Sequence, residues 1–169
     1  TPQRQYPVLL LLHGLGGNFT DWSSRTKVQE YVASYPLIIV MPDGENSWYV
    51  NSSLTPGERF EDYVMRDVRE YISRHYAVDT TRQAIAGLSM GGYGALMLAL
   101  RHPATFRFAG DLSGAITVPR TLSDTIMPPE KFLAATLLRS FGGMSKAVRD
   151  QHDIVHLYKR TPKEQLPYL

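Results

Sequence analysis

Three residues carry the first chemical signal in this chain: a serine, Ser89, with a glycine two positions to either side, Gly87 and Gly91. The apolar run Ala84-Ile85-Ala86 precedes them, and the small, apolar stretch Gly92-Tyr93-Gly94-Ala95-Leu96-Met97-Leu98-Ala99-Leu100 follows. That is the pattern of a buried strand turning sharply into a helix packed close on a sheet. A serine on such a turn projects its hydroxyl above the sheet, in a strained backbone conformation tolerated only where the flanking residues are tiny. The helix N-terminus behind it places partial positive charge where an oxyanion would form. These features mark Ser89 as a nucleophile. A bare G-x-S-x-G arises by chance in roughly one chain in fifteen of this length; here the strand before it and the helix after it decide the reading.

A second segment points to the same place. Val8-Leu9-Leu10-Leu11-Leu12 is wholly apolar and ends in His13-Gly14-Leu15-Gly16-Gly17-Asn18. A strand buried on both faces and followed by a glycine-rich turn is what a parallel sheet presents at its carboxyl edge, where ligands of open α/β sheets bind. Backbone N–H groups of this loop can face a carbonyl oxygen at Ser89, and Met90, the residue after the nucleophile, supplies the other donor. The alternative is a tight turn with no chemistry.

Taken together, these segments resemble the α/β-hydrolase fold. Within it they are similar to the esterase-D-like group of tributyrin, feruloyl and acetylxylan esterases, S-formylglutathione hydrolases and antigen 85 acyltransferases. The resemblance is carried by His13-Gly14-Leu15-Gly16-Gly17, Met41-Pro42-Asp43-Gly44, Asn46-Ser47-Trp48-Tyr49, Glu61-Asp62-Tyr63, Gly87 through Ala95, and Leu112-Ser113-Gly114. It implies a serine carboxylesterase acting through an acyl-enzyme on Ser89, with the N–H groups of Leu15 and Met90 as the oxyanion hole. The substrates it implies are short-chain acyl esters, among them acetyl or feruloyl groups on carbohydrate. Trp48 and Tyr49 fall where an acyl or alcohol pocket is expected, although aromatic loop residues also simply pack a loop down. His13 matches the family's structural histidine, which shapes the oxyanion turn. An acyltransferase of the antigen 85 type is the nearest enzymatic alternative, and a non-catalytic domain that keeps the fold is the other.

The elements that must position these residues alternate. Strands are predicted at Val8–Leu12, Leu37–Met41, Ala84–Leu88 and Phe108–Leu112, and helices at Thr26–Ser34, Phe60–His75 and Gly91–Arg101. Phe60, Val64, Val68, Tyr71 and Ile72 recur at helical spacing, and His102-Pro103 stops the last of these helices. Strand–helix alternation argues an α/β, doubly wound, mostly parallel sheet. Residues 1–169 read as one domain, with 115–165 as a lid or connector of mixed helical pieces. The sheet looks incomplete at both ends: Leu166-Pro167-Tyr168-Leu169 resembles the start of a further strand. In the resembled family the catalytic acid and histidine come after that strand, so both are expected beyond residue 169.

Other residues were candidates for the missing roles. Asp111 followed by His152 or His156 has the serine–acid–histidine order of a triad inside the chain. His152 and His156 stand four apart on a predicted helix, but no third ligand accompanies them, so no metal is expected, and no cofactor either. His75 and His102 close helices, where a cation suits the C-terminal dipole; Asp43 caps a turn; Glu61, Asp62 and Asp67 suit a helix N-terminus.

Composition bounds the classes. The 169 residues are 43% hydrophobic and 20% charged with a net charge of +2, enough for a core and too little charge for a nucleic-acid surface. No apolar run is long enough for a membrane span. The absence of cysteine excludes disulfides and a thiol nucleophile and leaves the compartment open. The partner implied is a small-molecule ester; the oligomeric state is unspecified.

Overall fold

The computed structural model describes residues 4–121, 128–143 and 145–169. Four strands, β1 (Tyr6–Leu12), β2 (Ile38–Val40), β3 (Val78–Leu88) and β4 (Phe108–Leu112), form one sheet in the order β2-β1-β3-β4, every neighbouring pair parallel. Leu9 and Leu10 of β1 pair with β2 on one side and β3 on the other, Leu10 lying opposite both Val40 and Ile85, and Leu11 and Leu12 pair with β3. Central parallel strands are covered on both faces, which explains why these runs are continuously apolar. At the other edge, Tyr168 makes an isolated parallel bridge to Phe108. The strand-like reading of the last residues therefore has a structural counterpart beside β4.

The helices are α1 (Asp21–Arg25), α2 (Val28–Val32), α3 (Phe60–Asp62), α4 (Arg69–His75), α5 (Met90–Arg101), α6 (Val118–Thr121), α7 (Lys131–Phe141), α8 (Lys146–His152) and α9 (Ile154–Arg160). The helix predicted over Thr26–Ser34 is the five-residue α2, and a separate five-residue helix, α1, precedes it. Phe60–His75 is helical throughout, but Tyr63–Val68 is wound as a π-helix between α3 and α4. Strand β3 starts six residues earlier than predicted, because its polar opening, Asp79-Thr80-Thr81-Arg82, hides a pairing of Val78 with Tyr6. Between Tyr6 and Val8 the register shifts, and the Asp79 carboxylate there accepts from the Thr81 and Arg82 side chains.

Helix α5 is the axle of the structure. Every residue from Met90 to Leu100 is buried, the small ones letting the helix lie close on β3 and β4. Helices α7 to α9 pack around it and contribute Leu137, Phe141 and Ile154 to the same core as Leu10, Ile85 and Met97. Of the predicted connector 115–165, residues 122–127 and Met144 lie outside the described residues. Among the described residues, no helix is long and apolar enough to cross a membrane.

Candidate active site

Ser89 stands between β3 and α5 with φ 55° and ψ −114°, a conformation that non-glycine residues rarely adopt and that costs about 1–3 kcal/mol. Its neighbours hold it there. The Ser89 N–H donates to the Leu112 carbonyl at 2.9 Å, and the Ser89 carbonyl accepts from the N–H of Tyr93 at 3.0 Å and of Ala115 at 3.3 Å. The glycines leave room for the turn. A Cβ on Gly87 would fall on the Gly91 backbone, and one on Gly91 would lie 2.5 Å from the Leu12 carbonyl oxygen and 2.6 Å from that of His13. Because Met90 is the first residue of α5, its N–H has no acceptor within the helix and is available at the helix's positive end.

The turn after β1 meets this elbow directly. A Cβ on Gly14 would be 3.6 Å from the Ser89 Cβ and 3.4 Å from the Leu88 carbonyl oxygen. Leu15, half-buried, follows at once. Ser89, Met90 and Leu15, which the sequence proposed as nucleophile and oxyanion donors, thus converge on the carboxyl edge of β1 and β3.

His13 is buried at 1% exposure and has both ring nitrogens engaged by the backbone. Nδ1 lies 2.8 Å from the Gly14 carbonyl oxygen, and Nε2 lies 2.8 Å from the Gly44 N–H. A carbonyl only accepts and an N–H only donates, so these partners select the Nδ1–H tautomer with Nε2 as acceptor. The Asp43 Oδ1 sits 3.3 Å from Nε2 but also accepts from the Glu45 N–H, the turn-capping role expected of it. His13 therefore ties the turn after β1 to the loop after β2 and has no nitrogen left to serve Ser89.

Trp48 and Tyr49 are 2% and 0% exposed, so they do not line an open slot. The Tyr49 ring is wedged where Cβ atoms on Gly44 and Gly94 would collide with it, and its hydroxyl donates to the His13 carbonyl at 3.0 Å. Burial pushes its phenol far above the ordinary value, so it remains a donor. Trp48 packs edge-on to Tyr93 and against Phe141, and its Nε1 donates to the Thr136 hydroxyl at 3.2 Å. Tyr49 thus braces the turn after β1, and Trp48 ties the same loop to α5 and α7.

The triad order Asp111–His152 is not assembled. Asp111, on β4, pairs with Gly87 of β3, its carboxylate set against Gly92 at the start of α5 and Gly114 in the turn after β4. His152 is inside the structure rather than on a solvated face: its ring is 5.0 Å from that of Phe141, and burial, with Arg101 nearby, pushes its pKa down to about 4. The His152 carbonyl accepts from the Tyr93 hydroxyl at 3.0 Å, and the buried His152 Nδ1 has no hydrogen-bond partner among the described residues. The His156 backbone N–H donates to the Asp153 Oδ1 at 2.9 Å. Glu61 stands at a helix start, as expected, but it is 5% exposed and pairs with His102 Nε2 at 2.8 Å and Arg101 Nη1 at 3.1 Å. Its i, i+1 neighbours gave no sign of this, because the partners lie some forty residues away. His75 closes α4 as expected, its Nδ1 2.8 Å from the Tyr71 carbonyl. Among the described residues no histidine nitrogen is hydrogen-bonded to Ser89, and no group of three or more potential ligands could hold a metal ion.

Comparison with known proteins agrees with this geometry. The family described as "Putative esterase" matches residues 1–152. The chain is 34% identical over 112 residues to an acetyl esterase of Caldicellulosiruptor saccharolyticus, covering 65% of this chain and 42% of that protein. It is 32% identical over 133 residues to an endo-1,4-beta-xylanase/feruloyl esterase of Xylanibacter ruminicola, covering 72% of this chain and 18% of that protein. A fluorophosphonate-binding serine hydrolase of Staphylococcus aureus superposes with a TM-score of 0.75 at 26% identity, covering 99% of this chain and 64% of its own. The chain thus spans less than half the length of these curated relatives. With its sheet order, its strained serine and a family match over nine-tenths of its residues, the chain belongs to the esterase family of α/β-hydrolase proteins.

Proposed function

We propose that the protein is a serine carboxylesterase that hydrolyses short-chain acyl esters, acetyl or feruloyl groups on carbohydrate among them, through an acyl-enzyme on Ser89. One observation carries the reading: a strained serine at the N-terminus of a buried helix, with the glycine turn after β1 against its Cβ. The Ser89 oxygen attacks the ester carbonyl carbon and its proton leaves to a base. The carbonyl oxygen becomes an oxyanion held by the N–H groups of Leu15 and Met90, and each such donor is worth on the order of a hundredfold or more in rate. Collapse expels the alcohol with a proton and leaves the acyl group on Ser89; water then repeats the sequence and releases the acid. In this reading the histidine that relays these protons, and the acid that orients it, come from protein beyond residue 169.

The names of the relatives support the substrate class: acetyl esterase and feruloyl esterase both describe removal of an acyl group from oxygen. The test is hydrolysis of p-nitrophenyl acetate, p-nitrophenyl butyrate and methyl ferulate by the full-length protein and its Ser89→Ala variant. The reading requires turnover of at least one ester that the variant loses. Turnover unchanged in a folded Ser89→Ala variant would refute it.

A further inference from the structure

The motif Asn46-Ser47-Trp48-Tyr49 has no role in the chemistry described so far, yet its loop holds three non-glycine residues at positive φ. Glu45, Trp48 and Tyr49 have φ of 46°, 57° and 57°. Three non-glycine residues in the left-handed region persist together only where surrounding structure over-determines them. Here it does. The Ser47 hydroxyl donates to the Gly44 carbonyl at 2.6 Å and accepts from the Tyr49 N–H at 3.1 Å, while Tyr49 and Gly44 are both bonded to His13.

From this rigid loop the half-buried Asn46 side chain reaches the turn after β1. Its Oδ1 accepts from the Gly16 N–H at 2.7 Å, across thirty residues of sequence. Gly16 is the third residue of the turn Gly14–Gly17, closed by the Gly17 N–H on the Gly14 carbonyl at 3.1 Å. Its φ of +74° is what the third position of a type II turn requires. Such a turn leaves the N–H groups of both central residues, Leu15 and Gly16, outside its own hydrogen bond. Asn46 takes the second of these, which leaves the Leu15 N–H as the one the turn can offer at Ser89.

We propose that Asn46 is a positioning residue of the oxyanion hole: its side-chain carbonyl latches the Gly14–Gly17 turn to the loop after β2 and so fixes the Leu15 N–H relative to Ser89. This rests on the reading of Ser89 as the nucleophile. Gly16 is exposed, so without Asn46 its N–H would bond to water and folding would lose little. The value of the bond is therefore geometric. Oxyanion donors stabilise the transition state because they are fixed before charge develops, and a misplacement of about 1 Å can cost on the order of a hundredfold in rate.

The experiment compares Asn46→Ala and Asn46→Asp with the unsubstituted full-length protein on p-nitrophenyl acetate, together with amide hydrogen exchange at Gly16. Asn46→Ala should lower kcat about tenfold or more with KM changed less than about twofold, the pattern of an interaction realised in the transition state. Its thermal midpoint should stay put and its Gly16 amide should exchange faster. Asn46→Asp keeps the acceptor and should restore both Gly16 protection and most of kcat. Full kcat in Asn46→Ala, or Asn46→Asp as slow as Asn46→Ala, overturns the latch. So does a Gly16 amide that exchanges as fast in the unsubstituted protein as in Asn46→Ala, whatever the activity. An active Ser89→Ala variant would instead sink the nucleophile, with the exchange data still reporting on the latch.

Discussion

The two ends of helix α5 are built from opposite materials. At its N-terminus Ser89 is surrounded by backbone: carbonyls and N–H groups of Leu112, Tyr93 and Ala115, and glycines whose missing side chains let Leu12 and His13 approach. At its C-terminus stand Arg101, His102, the buried Glu61 and His152, a cluster rich in charge. Shifted titration behaviour often flags a catalytic centre. In this molecule the shifted histidine belongs to a structural cluster, and the proposed nucleophile is surrounded by peptide groups. The Glu61 Oε2 shows why the charged end is structural: it lies 3.1 Å from Arg101 yet makes no aligned hydrogen bond, an ion pair enclosed to hold α3 to α5.

Substitutions at each end break this contrast in different ways. Ser89→Ala should reduce ester hydrolysis by about a thousandfold or more while the circular dichroism spectrum stays unchanged, since it removes the nucleophile and one oxygen atom only. Gly91→Ala should damage the same end through the fold. Its Cβ would press on two backbone carbonyls that cannot move aside, with an expected loss above about 3 kcal/mol in a urea titration. At the other end, Glu61→Ala strips the partner from Arg101 and His102 and should cost about 3 kcal/mol. Esterase activity per folded molecule should survive it, and a proportionate loss of kcat would blur the division between the ends.

His152 gives the smallest effect and the sharpest pH signature. Its native pKa of about 4 lies below the ordinary histidine value of about 6.5. Between these values the unfolded chain binds a proton that the native state refuses, so acid favours unfolding. Stability from this group is complete above about pH 6.5 and is lost progressively as pH falls towards 4, by about 2–3 kcal/mol at most. Thermal melts across that window should show the decline in the unsubstituted protein and a flatter profile in His152→Leu.

Much of the nucleophile end was legible in the sequence because its constraints are local. Gly87-Leu88-Ser89-Met90-Gly91 and His13-Gly14-Leu15-Gly16-Gly17 each specify their own turn, and the apolar runs of β1, β3 and α5 specify the sheet edge that brings the turns together. The rest depends on contacts between distant segments. Nothing local to Trp48 and Tyr49 says that Gly44 and Gly94 will clear space for a buried ring, so they read as pocket lining. Nothing local to Glu61 announces Arg101 and His102, and nothing local to His152 announces Phe141. The π-helix at Tyr63–Val68 is likewise invisible, since its apolar spacing still satisfies an ordinary helix. Asn46 belongs to a recognisable motif, but its partner Gly16 belongs to another loop.

The central claim is that Ser89, held at the backbone-built end of α5, is the nucleophile. Treating the folded, full-length protein with a fluorophosphonate probe and locating the adduct by peptide mass spectrometry tests it most directly. The account predicts a single major adduct on Ser89 that disappears in Ser89→Ala and is unaffected by Glu61→Ala. A folded protein that stays unlabelled at Ser89, or an adduct that persists in Ser89→Ala, would contradict it.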